Sequence, residues 1–137
     1  AWVHGWDGPE MGLAECRALV ERVFRAFGRS EFPTVAHGRG MRTARGNWRK
    51  INLPRWARCK LVVLHETAHA LLPSMVRVGG EYFIIAAHGP EFVRLYIELL
   101  ARYNGGSRRE LARLARKERI EVGPKALALS IARGELA

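Results

Sequence analysis

The chain has 137 residues, 48% of them apolar, enough to close a hydrophobic core without disulfide or metal staples. No apolar run approaches membrane-spanning length, so no spanning helix is expected. Lys and Arg number 23 against 13 acidic residues, a formal charge of +10 that attracts polyanions, with nucleic acid the commonest such partner.

In chain order, Ala1-Trp2-Val3-His4-Gly5-Trp6 lacks the basic flank, apolar stretch and cleavage site of a signal peptide. From Glu10 to Phe27, Leu13, Cys16, Leu19, Val20, Val23, Phe24 and Phe27 recur every three or four residues. This spacing predicts an amphipathic helix stopped by Gly28. Phe32 to Val35 is short and β-prone, and Ala36 to Gly40 reads as a turn. Met41 to Arg45 and Asn47 to Leu53 flank Gly46 and suggest a hairpin ended by Pro54. A helix is expected over Ala57 to Leu72, up to Pro73. A second hairpin, turning at Gly79-Gly80, is expected within Ser74 to Ala87. Gly89-Pro90 opens a further helix whose stripe holds Phe92, Val93, Tyr96, Leu99, Leu100 and Tyr103, with Gly105-Gly106 as its stop. Two helices, Arg108 to Arg119 and Pro124 to Arg133, complete the chain. The Gly105-Gly106-Ser107 break is the one plausible subdomain boundary. Cys16 and Cys59 lie in apolar helical patterns and read as buried free thiols, which points to a cytoplasmic protein.

Chemistry concentrates in His65-Glu66-Thr67-Ala68-His69. Two histidines four apart on a helix project from one face, so both imidazoles can bind one zinc ion and leave positions open. Glu66 is then placed to take a proton from water activated by the metal. By chance the pattern arises on the order of once in a few hundred chains of this length, and here it also falls on a predicted helix. The extended pattern with Gly and His three and six residues further on fails, because Leu72 and Met75 stand there. Candidates for a third ligand are His88, Glu81, Glu91 and Glu98; spacing alone puts His88 only modestly ahead.

His65-Glu66-Thr67-Ala68-His69-Ala70-Leu71-Leu72, followed by His88-Gly89-Pro90-Glu91-Phe92, resembles the SprT-like (Spartan-type) zinc metalloprotease family. It is also similar to compact actinobacterial and phage metallohydrolases with the same pair of motifs. The resemblance covers about the middle third of the chain and implies zinc ligands His65, His69 and His88, with Glu66 as general base. DNA-linked members of the family degrade proteins crosslinked to DNA, which suits the basic charge. Two departures stand out, a long β-like insert from Val76 to Ile85 and the lack of zinc-ribbon cysteines.

Other residues have blander readings beside functional ones. Glu91 suits the helix dipole in a first turn. Tyr96 and Tyr103 fall on the apolar stripe as core, whereas Tyr82 is open as an oxyanion donor. His37 reads as a loop histidine, and His4 has no constellation. The strand Trp48-Arg49-Lys50-Ile51-Asn52-Leu53 precedes the motif helix, where zincin-like folds present an edge strand to extended substrate; Trp48, Lys50, Ile51 and Asn52 are the candidates. Arg39, Arg42, Arg45, Arg49 and Lys50 interleave with Trp48, a mix suited to gripping phosphates and stacking a base. Arg109, Arg113, Arg116 and Lys117 line one side of the fourth helix, as a solvated face would.

These readings converge on a single α+β, zincin-like domain over residues 1–137: a small twisted sheet, an active-site helix and C-terminal helices, with 107–137 as a helical extension. The expected function is zinc-dependent peptide-bond hydrolysis by Glu-activated water, on a protein or peptide substrate, near DNA or on DNA-bound proteins. The other class is a nucleic-acid-binding module with a mainly structural zinc site.

Overall fold

Helix α1 begins at Leu13, the first residue of its apolar stripe, three residues after the expected start at Glu10. Gly12, in extended backbone, donates its N–H to the Glu15 carboxylate at 3.1 Å, and α1 runs over Leu13–Ala26. That reach of an acidic side chain back to the capping N–H favours a start here rather than at Glu10. Cys16, Leu19, Val20, Val23 and Phe24 form its buried face, and Gly28, at φ 72°, terminates it as expected. The structure is a computed structural model and describes residues 8–136; His4 and the N-terminal stretch read for a signal peptide lie outside the described residues.

The described residues divide into two compact units, 8–71 and 72–136. The Gly105-Gly106-Ser107 break lies inside the second unit. The fold is α+β, with five α-helices and two small sheets among the described residues.

In the first unit, β1 (Thr34–Ala36), β2 (Arg45–Gly46) and β3 (Lys50–Asn52) form one sheet in the order β1-β3-β2. Strand β1 runs parallel to β3, pairing Val35 with Ile51, and β2 runs antiparallel to it, pairing Gly46 with Ile51. The expected hairpin exists, but Gly46 is a strand residue and the turn is Asn47-Trp48-Arg49. Asn47 makes that turn. Its N–H donates to the Lys50 carbonyl at 3.0 Å, and its Oδ1 accepts from the N–H groups of Arg49 and Lys50. After Pro54 the chain makes a 3-10 turn over Arg55–Ala57, and only then does α2 begin, spanning Lys60–Leu71. Burial takes in Leu61, Val62, Val63, Leu64, Glu66, Thr67, Ala68, Ala70 and Leu71, nearly the whole circumference, as befits a helix wrapped by α1 and the sheet. Cys16 and Cys59 are buried, and neither is in a disulfide. Burial pushes the Cys16 thiol up to about 11.

The second unit starts with β4 (Met75–Val78) and β5 (Glu81–Ile84), a hairpin turning at Gly79 and Gly80, both at positive φ as anticipated. Val76 and Ile85 anchor it to Ile131, whereas most of its other side chains are exposed. Helix α3 (Pro90–Tyr103) buries Phe92, Val93, Leu95, Tyr96, Ile97, Leu99, Leu100 and Tyr103 and packs against α4 (Arg108–Lys117) and α5 (Lys125–Ala132). Ser107 caps α4 by accepting the Glu110 N–H, and Arg119, at φ 59°, ends that helix two residues early of the sequence reading. No helix among the described residues is long and apolar enough to cross a membrane.

Candidate metal centre

In the largely buried helix α2, His65 and His69 are the two half-buried residues, and they share one face of the helix. Each is half-buried, and their rings meet edge to face with centroids 4.8 Å apart. Their Nε2 atoms stand 3.2 Å apart. Two nitrogens held at about 2.0–2.1 Å around a tetrahedral ion stand about 3.3 Å apart, so the pair already has the bite that zinc requires. Glu66 follows His65 but is only 5% exposed, and desolvation raises its carboxyl to about 7. Thr67 is satisfied in place, its hydroxyl donating to the Val63 carbonyl at 2.6 Å.

What lets this helix approach the sheet so closely is Gly46. A Cβ there would meet the Glu66 carbonyl oxygen at 2.4 Å. Strand β2 therefore touches the motif helix at the residue proposed for proton transfer. Sequence reasoning took Gly46 for a turn and missed this contact; a glycine inside a strand pattern is itself the signal for close backbone approach.

In the second unit His88 is exposed and precedes α3 directly. Its ring packs on Phe92, with centroids 5.0 Å apart. The backbone around it is braced twice. Gly89 donates to the Ala86 carbonyl, and Gly123 donates to the Pro90 carbonyl at a spot where a Cβ would lie 2.8 Å from that oxygen. Of the alternative third ligands, Glu98 is buried and engaged by Arg94 and Arg108, Glu81 is exposed in β5, and Glu91 is half-buried in the first turn of α3.

The expected substrate strand needs correction. Strand β3 is central: Lys50, Ile51 and Asn52 pair with β1, Ile51 and Asn52 also pair with β2, and Ile51 is fully buried. Trp48 is in the turn. The sheet edge beside Glu66 is β2. Tyr96 and Tyr103 are core, as read from their stripe, and Tyr82 is exposed with the Arg77 guanidinium 5.6 Å from its ring centre. His37 is an exposed loop residue whose Nδ1 accepts the Arg39 N–H. Arg39, Arg42, Arg45, Arg49 and Lys50 are all exposed, as are Arg109, Arg113, Arg116 and Lys117.

The fold and site thus define an α+β chain with a histidine pair suited to a metal. Compared with family models, with curated proteins and with solved structures, the chain gives no match.

Proposed function

We propose that this chain is a zinc-dependent metallopeptidase of minimal, zincin-like and SprT-like design, holding its ion with His65, His69 and His88. The observation that carries the reading is the facing His65–His69 pair, its Nε2 atoms 3.2 Å apart, beside a buried Glu66. His88 is assigned as the third ligand by its place in the His88-Gly89-Pro90-Glu91-Phe92 motif, directly before α3. Zinc in such a set supplies Lewis acidity toward water and a carbonyl oxygen. Glu66 accepts the proton of the attacking water and returns it to the departing amine nitrogen. Extended substrate pairs with the open edge of β2, which Gly46 sets against Glu66. The two buried cysteines, neither in a disulfide, fit a reducing compartment.

Glu66→Gln tests the assignment. The variant is expected to keep zinc and lose hydrolysis of a peptide panel by about a hundredfold or more. His88→Ala is expected to lose most of its zinc, measured by elemental analysis. Wild-type hydrolysis rates in Glu66→Gln would remove Glu66 as the proton acceptor, and no hydrolysis by the zinc-loaded wild type would leave a structural metal; full zinc in His88→Ala would remove His88 from the ligand set.

A further inference from the structure

From Phe32 to His65 the chain carries eight Lys and Arg residues and no Asp or Glu. Arg55 is paired with Glu10, and Arg58 donates to the Leu53 carbonyl. Arg39, Arg42, Arg45, Arg49 and Lys50 are exposed, and none enters a salt bridge among the described residues. An unneutralised stretch of this kind attracts a polyanion.

Two exposed indoles give the surface its chemistry. Trp48, at the tip of the β2–β3 turn, is 71% exposed, and the Arg49 guanidinium lies 5.5 Å from its ring centre. Trp56 is 54% exposed and is held by its Nε1–H, which donates to the Arg42 carbonyl at 3.1 Å. Trp56 is thereby tied to the same basic loop. Trp48 lies six positions after Arg42, so the loop can hold the two anchor points no more than about 20 Å apart. Solvation alone explains charged side chains but not two unburied tryptophans, because Trp is on average among the more buried residues. The stretch 37–50 offers no exposed aliphatic side chain to enter a bilayer. Flat rings set among guanidinium groups are instead what successive unpaired bases and their phosphates require.

We propose that this face binds single-stranded nucleic acid, with Trp48 and Trp56 as stacking platforms and the five basic residues as phosphate contacts. The proposal does not rest on the peptidase reading. Stacking selects unpaired bases over duplex, because a duplex keeps its base faces covered.

The test is fluorescence anisotropy on the full chain with labelled oligothymidylate, oligouridylate and a duplex, each of about 20 nucleotides. Heparin and anionic phosphatidylserine vesicles serve as competing polyanions. Tight binding of either single strand ahead of the duplex is the expected result, and the stronger of the two identifies the preferred sugar. Trp48→Ala and Trp56→Ala are each expected to weaken single-strand binding about tenfold, to leave heparin binding unchanged, and to keep the fold by circular dichroism. Trp48→Phe should restore most of the affinity, and Arg49→Gln should lower the salt slope by about one. Duplex, heparin or vesicle binding as tight as single-strand binding, or wild-type affinity in both alanine variants, would overturn it.

Discussion

Glu66 meets two opposing demands. Burial in α2 disfavours its charge, yet the proposed proton acceptance needs the carboxylate. Its folded-state value near 7, against an ordinary 4.5, makes the metal-free fold bind a proton more tightly than the unfolded chain does. The contribution to stability is therefore fully present below about 4.5 and lost as pH rises through 7. Its full size is about 3 kcal/mol. In metal-free protein, Glu66→Gln removes this dependence. The stability gap between variant and wild type should shift in the variant's favour from pH 4.5 to pH 8, by urea denaturation at each pH. A gap that stays constant would show a carboxyl titrating in the ordinary range. The histidine pair was legible at this scale because i and i+4 on a helix fix a shared face whatever surrounds it. The state of Glu66 was not, because desolvation depends on neighbours brought in from α1 and the sheet.

Elements explain why Gly46 matters. Strand β2 has only two residues, and its hold on β3 and on α2 passes through a backbone with no side chain in the way. Its φ is not in the left-handed region, so the requirement for glycine is contact and not conformation. Gly46→Ala is expected to destabilise the protein by about 1–3 kcal/mol, the usual cost of overpacking. It should also push β2 away from Glu66. A lower urea midpoint with unchanged slope is the expected readout; an unchanged midpoint would mean that the sheet yields freely there. Long periodic elements were readable from sequence: α1, α3 and the Gly79-Gly80 hairpin stand within a few residues of their expected places. The strand order was not. Trp48 to Leu53 alternates as any half-buried strand does, and only the parallel pairing with β1 makes β3 central instead of an edge.

At the scale of the whole molecule, the proposed metal binding has a measurable consequence. A ligand that binds only the folded chain stabilises it by mass action, about 2.7 kcal/mol at a hundred times its dissociation constant. For a chain of this size that corresponds to roughly 10 °C in Tm. Zinc added to chelator-treated protein should produce such an upward shift, lost in His88→Ala, by differential scanning fluorimetry. No shift with zinc would contradict the metal site.

By itself the sequence determined the basic charge, the helical placement of His65, Glu66 and His69, the turn at Gly79-Gly80 and the buried cysteines. Each follows from composition or from periodicity within one element. Tertiary structure alone decided that Ile51 lies in a central strand, that Gly46 is pressed on Glu66, that Glu98 is engaged by Arg108 and that Trp56 is displayed on the Arg42 loop. These are contacts between residues distant along the chain or across element boundaries, and no local pattern encodes which partner will be met.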